Sequence, residues 1–454
     1  MNCIFVCIFS QRQYVNMFYL LLESILIYGN LDDNTEILLY TNSYFMSLIQ
    51  NCNMLNDKIK FVVNDIYDGD FSASKSRLDF FHLPLSANYE KVLYLDPSII
   101  IKGPIQPLFD ICVDDILYVL EQGTIDDDSD DYGKSVFGEE VNNYADKSAF
   151  TCGILVFKRC ETINVLFNNI LHQIRATPAY FRTYDQPYII YNAFKYNLYN
   201  NKALIQFAIS NNDDITSVKT IHFFQYDPPD FYMDKVPNMA NFLNALKLDL
   251  LTKNVNNTIE FISTNLIDLI KSIGEPLEGN VFMYHQTNYF TEIYREKVYN
   301  ICSVVLNKNV KRVLEIGFGS GFSTLLFLIS NPTLQITCVD INAHSYTMPC
   351  YLKIKEFFGD RINLLVGDSN AVLPTLNEAY DVIHIDGSHT IQVAEKDITE
   401  CYRLSKNGTV LILNEYDVVE LHSLWDNFVK QYNLQEMVIY LYKTIFQDIK
   451  YVVK

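Results

Sequence analysis

The chain has 454 residues, and since a domain usually takes ~100–200 residues, this length predicts at least two folded units. Its 35 Lys and Arg against 54 Asp and Glu leave a formal net charge of −19, which disfavours binding to nucleic acid or to anionic lipid surfaces. Hydrophobic residues make up 49% of the chain, with 32 Tyr and 30 Phe among them, so long disordered stretches are excluded.

The first residues, MNCIFVCIF, are predicted to form a buried strand. No basic segment leads this apolar run, and Gln11 and Arg12 follow it too soon for a secretory signal. The longest other apolar stretch, MFYLLLESILIY, is well short of the ~20 residues that cross a bilayer. The 10 cysteines show no CxxC pairing, which favours free thiols in a reducing compartment. A cytoplasmic protein with no membrane span is expected.

Short β-rich runs alternate with amphipathic stretches over residues 1–240, which predicts an α/β domain with a mainly parallel sheet. The runs are CIFVCIF, TEILLYT, KIKFVV, KVLYLD, DILYVLEQ and GILVFK, and helices are predicted near 14–28, 161–175 and 185–196. The acidic run DDDSDD at 126–131 is interpreted as a solvated loop without a function, because like charges repel and stay hydrated.

The run KVLYLDPS ends a predicted buried strand in Asp96, with Ser98 two residues later. Side chains at i and i+2 of an extended chain point the same way, so both could contact one cation. Judged alone, Asp96 is equally well a turn residue before Pro97, and His222 in TIHFF a core histidine.

Over residues 2–240 the chain resembles the family 8, glycogenin-like glycosyltransferases of GT-A fold, whose YLDxD signature binds manganese on the diphosphate of a nucleotide sugar. The resemblance implies that a UDP-sugar is the donor and that His222 joins Asp96 and Ser98 on the metal. Ser98 replaces the second Asp of the signature, and Thr151 replaces a usual Asn, so weaker metal binding is expected. The remaining implied contacts are Ser10 and Tyr14 to the base, and Arg77, Asp185 and Gln186 to the sugar, the last two as catalytic candidates.

Residues 241–279 are predicted as a helical linker, and a second alternation fills residues 280–454. Its five runs KRVLEIG, QITCVDI, INLLVGD, YDVIHID and TVLILNE predict a doubly wound, Rossmann-like sheet. Two closing runs, EMVIYLY and QDIKYVV, are separated by only a few residues and predict an antiparallel hairpin.

The segment VLEIGFGSGF predicts a strand, a glycine loop and the start of a helix, with glycines at positions Gly317, Gly319 and Gly321. Phe322 stands where a dinucleotide fingerprint needs its third glycine, which disfavours nicotinamide and flavin cofactors. A carboxylate at the end of the next strand can hold two ribose hydroxyls. The predicted cofactor contacts are Glu315, the three glycines, Asp340 for the ribose, and Asp368 with Ser369 for adenine.

Residues 280–454 resemble the class I methyltransferases that use S-adenosylmethionine (SAM), and IDGSH with VLILNEYD resembles the metal-assisted sugar O-methyltransferases among them. The resemblance implies a divalent cation, Mn or Mg, held by Asp386, Asn414 and Glu415, with His389 as the base. Asn414 stands where an acid is expected, so lower metal affinity is expected.

Together the two halves predict a bifunctional enzyme that transfers a sugar and methylates a hydroxyl of a sugar or glycan acceptor. Two alternatives stay open. In one, the first half is a degenerate, non-catalytic module that binds a nucleotide sugar or glycan; in the other, the methyl acceptor is a protein or a small catechol. The sequence leaves the oligomeric state open.

Overall fold

In the computed structural model, the described residues are 1–50, 52, 54–67, 69–179, 181–210, 219–224, 235–278, 281–282, 295–388, 390–414, 416, 418–436 and 450–454. The chain divides into two compact units, Met1–Leu243 and Asn244–Lys454. Each unit is built on its own sheet.

The first unit has strands that are mostly apolar along their whole length, as expected for strands covered on both faces. Those in the described residues are β1 (Asn2–Ile8), β2 (Thr35–Thr41), β3 (Ile59–Val63), β4 (Lys91–Leu95), β5 (Ile99–Ile101), β6 (Leu117–Thr124), β7 (Ser148–Lys158), β8 (Tyr199–Asn200), β9 (Ala208–Ser210) and β10 (Ile221–Phe223).

The main sheet of this unit has the order β3-β2-β1-β4-β7-β6-β8, and the small sheet has the order β5-β10-β9. Strands β1 to β4 are parallel, but β7 runs antiparallel to both β4 and β6. The prediction of a mainly parallel sheet is therefore confirmed, with β7 as the reversed strand among those described. The sequence did not show this reversal, because a buried apolar run does not encode its own direction.

Helices cover both faces of the main sheet, and each face has its own apolar core. The predicted helices near 14–28, 161–175 and 185–196 are confirmed within about two residues. The helices described in this unit are α1 (Arg12–Tyr28), α2 (Ser43–Ile49), α3 (Asp70–Ser74), α4 (Gln106–Asp110), α5 (Lys134–Phe137), α6 (Glu161–Ala176) and α7 (Gln186–Lys195).

The second unit contains the five predicted strands and, in its described part, a short antiparallel pair. Most of the run EMVIYLY lies outside the described residues. The strands are β11 (Arg312–Ile316), β12 (Gln335–Asp340), β13 (Ile362–Val366), β14 (Tyr380–Ile385), β15 (Ser405–Leu413), β16 (Gln435–Glu436) and β17 (Lys450–Val453).

These strands have the order β13-β12-β11-β14-β15-β17-β16. The first five are parallel, and β17 is antiparallel to both of its neighbours. The strand order reverses beside β11, and in such sheets ligands bind outside the carboxyl ends of the strands at this switch point. The fold thus places the glycine loop after β11 at the expected binding edge.

The first long helix after β10, α8 (Val236–Asn265), contains the division between the units, and α9 (Ile267–Ile273) follows it. The other helices described in the second unit are α10 (Arg295–Val304), α11 (Phe322–Ser330), α12 (Thr347–Phe358), α13 (Ser369–Val372), α14 (Ile391–Arg403) and α15 (Val419–Tyr432).

Two further features concern the cysteines and the helices of the described residues. All 10 cysteines lie among the described residues, and all are free thiols. Within the described ranges, no helix is both long and apolar enough to span a bilayer.

Candidate functional sites

The first unit has a cavity of about 130 Å³ at the carboxyl ends of β1 and β4. It is lined by three residues predicted to contact the donor nucleotide sugar, Ser10, Tyr14 and Arg77, and by the predicted metal ligand Asp96. They come from separate segments of the sequence, so their meeting depends on the parallel pairing of β1 with β4. The cavity also has Tyr184 in its wall, a residue that the sequence analysis did not single out.

Arg77 and Asp185 form a buried ion pair behind this cavity, with Nε of Arg77 3.2 Å from Oδ2 of Asp185. Arg77 also donates to the carbonyl oxygens of Ser74 and Cys152. Asp185 is only 2% exposed, and burial raises its pKa to about 6, while the charge of Arg77 opposes the rise. The predicted pair of sugar contacts is therefore present, but each charge already has a partner.

Gln186 uses both ends of its side-chain amide inside the protein. Its Oε1 accepts from the backbone amide of Cys152 at 2.9 Å, and its Nε2 donates to the carbonyl oxygen of Asp131 at 3.0 Å. This geometry suits a residue that fixes the wall of the site, and direct sugar contact and catalysis by Gln186 stay predictions.

The acidic run 126–131 is not a uniformly solvated loop, which corrects the prediction from sequence. Asp131 is buried and accepts from Arg182, whose Nε lies 3.0 Å from Oδ1. Its carbonyl oxygen accepts from the Thr183 hydroxyl at 2.9 Å. The prediction failed because a partner 51 residues away cannot be found from local charge density. The run anchors the segment that carries Asp185.

The metal set predicted for this unit, Asp96, Ser98 and His222, does not fit a resident divalent cation. Both the backbone amide and the hydroxyl of Ser98 donate to Oδ1 of Asp96, at 3.1 and 2.8 Å. The ring of His222 packs between Phe224 and Phe242, with centroids 4.5 and 4.3 Å away. A single carboxylate that already accepts two hydrogen bonds is a poor anchor for a hard cation.

A lysine that the sequence analysis missed stands near this carboxylate. Lys235 donates from Nζ to the carbonyl oxygen of Phe224, whose amide in turn donates to the carbonyl oxygen of Ser98. Burial lowers the pKa of Lys235 to about 8, and the charge of Asp96 opposes the fall. A lone lysine before a helix gives no sequence signal of this placement.

In the second unit, the glycine loop after β11 is held by Asp340 at the end of β12. Oδ2 of Asp340 accepts from the amides of Phe318 and Gly319 at 2.7 and 2.8 Å, and Oδ1 accepts from Asn342 at 2.6 Å. A carboxylate has about four acceptor positions, so these bonds leave room for a ligand hydroxyl.

Gly317 joins this loop to the neighbouring strand end. Its φ is +90°, and a Cβ there would lie 2.0 Å from the carbonyl oxygen of Asp386. Only glycine fits this position, because both the conformation and the space exclude a side chain. The loop and the DGSH segment are consequently in direct backbone contact.

Glu315 does not reach a ligand, which corrects its prediction as a cofactor contact. Its side chain is fully buried, and Oε1 lies 3.0 Å from Nδ1 of His384. The hydroxyl of Thr324 donates to Oε2. Glu315 therefore supports the loop from beneath, since a motif position alone does not say on which side of the loop a side chain lies.

Asp368 and Ser369, predicted near adenine, stand at the start of α13, where Asp368 accepts from the amide of Asn370 at 2.9 Å. The hydroxyl of Ser369 hydrogen-bonds to Asp397 on α14. Asp397 is 1% exposed, and its Oδ1 has no hydrogen-bond partner among the described residues. The sequence analysis missed it, although an acidic residue between Ala394 and Ile398 on the buried face of a helix was a usable signal.

The predicted acceptor site is described in part. Nδ2 of Asn414 donates to Oδ1 of Asp386 at 2.6 Å, and Oδ1 of Asn414 is buried without a hydrogen-bond partner in the described part of the chain. A carboxylate beside an unsatisfied amide oxygen fits a divalent cation with oxygen ligands. His389 and Glu415 lie outside the described residues. No group of three or more His, Cys, Asp or Glu within the described ranges could hold a metal.

Comparison with known proteins gives a match for the second unit. Residues 314–416 match the model of the methyltransferase domain family. This region is therefore a methyltransferase domain, and the predicted cofactor SAM agrees with it. The match does not reach residues 1–240, so the likeness of that half to glycosyltransferases stays a prediction. No curated protein matches the chain.

Solved structures similar to this chain include three methyltransferases. A candidate caffeoyl-CoA O-methyltransferase from Staphylococcus aureus is 15% identical with a TM-score of 0.31, covering 44% of this chain and 99% of its own. The methyltransferase PaMTH1 of Podospora anserina, bound to SAH, is 13% identical with a TM-score of 0.32, covering 51% and 97%. A candidate O-methyltransferase from Klebsiella pneumoniae is 17% identical with a TM-score of 0.30, covering 45% and 89%.

Proposed function

We propose that this chain is a SAM-dependent O-methyltransferase that acts on a hydroxyl of a sugar or glycan, joined to a GT-A-like domain that binds a nucleotide sugar. The proposed divisions are a first domain at 1–240, a helical linker at 241–279 and a methyltransferase domain at 280–454. The observation that carries the methyltransferase proposal is the pair Asp386 and Asn414, in hydrogen-bond contact at the ends of β14 and β15, directly beside Gly317 of the glycine loop.

In this proposal the cofactor lies along the edge formed by the glycine loop, Asp340 and Asp368. The remaining acceptor position of Asp340 takes a ribose hydroxyl, while its bonds to Phe318 and Gly319 keep the loop open for the methionine part. Asp368 takes the exocyclic amine of adenine, and Ser369 is held in place by Asp397.

The acceptor hydroxyl is proposed to lie against Asp386 and Asn414. A divalent cation held there together with Glu415 would lower the pKa of the hydroxyl. His389 takes the hydroxyl proton as the oxygen attacks the methyl carbon, and the bond from that carbon to sulfur breaks as the new bond to oxygen forms. The positive sulfonium thereby becomes a neutral thioether, and the proton ends on His389.

The test of this proposal separates cofactor binding from methyl transfer. In Asp386→Ala we expect SAM affinity within about twofold of wild type but methyl transfer to a sugar acceptor lower by ~10²-fold or more. Asp360→Ala, which removes an exposed carboxylate on the same unit, is the matched control and should behave as wild type. Full activity of Asp386→Ala on every acceptor tested would refute the acceptor site.

The acceptor class is tested separately, with monosaccharides, oligosaccharides, catechols and peptides offered to the wild-type enzyme with labelled SAM. Incorporation of label into sugars is the expected result. Label only in catechols or peptides would reject the sugar proposal and keep the methyltransferase.

For the first domain, the support is the cavity that gathers Ser10, Tyr14, Arg77 and Asp96. A diphosphate placed there would meet the positive charge of Arg77, which lines the cavity. Because the predicted metal ligands do not fit a resident cation, donor binding is proposed to occur without one. A non-catalytic binding module is the second candidate, favoured by the internal pairing of Arg77 with Asp185.

Calorimetric titration of UDP-glucose, with Mn²⁺ and with chelator, tests this domain. Binding of similar strength in both conditions is expected. Release of free glucose or its transfer to an acceptor would then indicate a glycosyltransferase, and binding without turnover a carrier module. Undetectable binding in both conditions would reject the nucleotide-sugar proposal.

A further inference from the structure

Tyr184 has a backbone conformation that is unusual for an aromatic residue, with φ of +57°. Left-handed conformations cost a bulky L-residue about 1–2 kcal/mol, and they are found most often at active sites and ligand-binding sites. Ser10, on the other side of the same cavity, has φ of +65°. Two non-glycine residues in a left-handed conformation thus line one cavity.

The residues on both sides of Tyr184 are fixed by hydrogen bonds to other parts of the first unit. On the amino-terminal side, Arg182 and Thr183 donate to Asp131. On the carboxyl-terminal side, Asp185 pairs with Arg77. The conformation of Tyr184 is therefore imposed by its surroundings, which offset the strain.

The acidic run supplies one of these two anchors, and it approaches the segment very closely. A Cβ on Gly133, just after that run, would lie 3.0 Å from the carbonyl oxygen of Pro187. The other anchor, Arg77, itself lines the cavity. Anchors of this kind fix the backbone of Tyr184 relative to the cavity.

Tyr184 also stands between two spaces. It lines the main cavity and, together with Ser74, a second recess that is too narrow to hold a water molecule and is bounded by Asp185 and Tyr188. Removing its ring would join the recess to the cavity on the side of Arg77 and Asp185, where the proposed function places the sugar of the donor.

We propose that Tyr184 is a specificity-determining residue of the first domain, whose ring packs against the sugar of a nucleotide sugar and closes the recess to larger ring substituents. This inference rests on the proposed nucleotide-sugar site. The aromatic face stacks on the C–H face of a pyranose, and the closed recess selects an unsubstituted hexose over one with an N-acetyl group.

The test is calorimetry of the full chain with UDP, UDP-glucose and UDP-N-acetylglucosamine, on wild type, Tyr184→Ala and Tyr184→Phe. In Tyr184→Ala, affinity for UDP should stay within about twofold, because UDP lacks the sugar. Affinity for UDP-glucose should fall ~tenfold, and the preference for UDP-glucose over the N-acetyl donor should shrink by at least that factor. Tyr184→Phe should keep the wild-type preference.

Two further variants serve as a control and as a replacement in this test. Tyr196→Ala removes a tyrosine that is 47% exposed and should match wild type for all three ligands. If Tyr184→Ala folds poorly, Tyr184→Asn replaces it, since Asn tolerates the left-handed conformation. A purely structural tyrosine would lower the melting temperature of both variants without changing the ratio of the two sugar affinities.

The outcomes are distinguishable. If wild type binds no ligand of the three, both the nucleotide-sugar site and this inference fail. If wild type binds UDP-glucose and Tyr184→Ala keeps the same ratio between the two donors, the site stands and the role of Tyr184 is refuted.

Discussion

The candidate sites of the two units both contain carboxylates, Asp185 just before α7 and Asp340 at the end of β12, but they satisfy them in different ways. In the first unit the partners are side chains, as in the pair of Arg77 with Asp185. In the second unit they are mainly backbone amides, as in the three bonds to Asp340.

The difference determines what a ligand can displace. In a buried ion pair, the attraction between the two charges offsets the cost of removing them from water. Such a pair therefore shapes the wall of a cavity and is not readily displaced by a ligand. A carboxylate bonded to backbone amides keeps its negative charge and spare acceptor positions, so it can add ligand hydroxyls without losing its structural bonds. We therefore expect the first site to be formed before a ligand binds, and the loops of the second site to form the complete site only together with the cofactor.

The largest effect is expected from breaking the ion pair of the first site. Arg77→Gln leaves Asp185 buried without its cation, which should lower the free energy of unfolding by ~3–5 kcal/mol. Urea unfolding at pH 7 measures the change. Lys134→Gln, which breaks the exposed pair with Asp128, is the matched control and should change stability by less than ~1 kcal/mol. Equal effects of the two changes would contradict the preformed site.

A backbone change in the second site should have the next largest effect. Gly317→Ala sets a Cβ 2.0 Å from the carbonyl oxygen of Asp386, so the glycine loop and the DGSH segment have to separate. We expect a loss of ~2–4 kcal/mol in stability and loss of SAM binding. At Gly319 a Cβ meets nothing within 4 Å, and Gly319→Ala should cost only ~1 kcal/mol for its positive φ. If calorimetry finds SAM affinity equally reduced in both variants, steric contact between the loops is not the reason.

The second site should differ from the first in how its stability depends on pH, because it contains a buried carboxyl, Asp397, that has no ion-pair partner among the described residues. Burial raises the pKa of Asp397 from 3.8 to about 6, Ser369 opposes the rise and Asp368 adds to it. Between these two values the folded protein binds more protons than the unfolded chain, so this group makes stability fall as pH rises from about 4 to 6. The decline attributable to it is on the order of 2–3 kcal/mol.

Asp397→Asn should remove that part of the decline. Stability is measured by urea unfolding at pH 4.5 and pH 7, and the variant should gain relative to wild type at pH 7. Asp185 has the same direction of shift but keeps its partner Arg77 in this variant, so its contribution is unchanged. A parallel pH dependence of wild type and variant would show that Asp397 is solvated.

The sequence was sufficient for the strands of the second unit, because each of its five apolar runs ends at a turn and is followed by a helix-length segment. Through a family resemblance it also predicted that Ser10, Tyr14, Arg77 and Asp96 belong to one site.

The sequence did not predict the burial of Glu315 or of Asp131 in the acidic run, since this burial depends on distant partners such as His384 and Arg182. Lys235 was missed for the same reason, whereas Asp397 was missed although its place on the buried face of α14 was a usable signal. The roles of His389 and Glu415 stay predictions, because both lie outside the described residues.

The smallest effect is expected where the first site departs from the metal-binding signature. Ser98 is 3% exposed and donates to Asp96, so Ser98→Asp sets two carboxylates side by side in a buried place. Without metal, repulsion and desolvation should lower stability by ~1–2 kcal/mol. Ser98→Asn has nearly the same size and no charge, and it serves as the control for packing.

Manganese should reverse the effect only in the charged variant. A pair of carboxylates provides the hard oxygen ligands that wild type lacks, and binding to the folded state alone raises its stability. We therefore expect Mn²⁺ to raise the melting temperature of Ser98→Asp relative to chelator, while wild type and Ser98→Asn do not respond. If Mn²⁺ raises the melting temperature of wild type as much, the first site already binds metal, and its contrast with the oxygen-rich second site disappears. If no variant responds, the packing of His222 between two phenylalanine rings keeps the third ligand from the ion, and the site is not a metal site with one ligand missing.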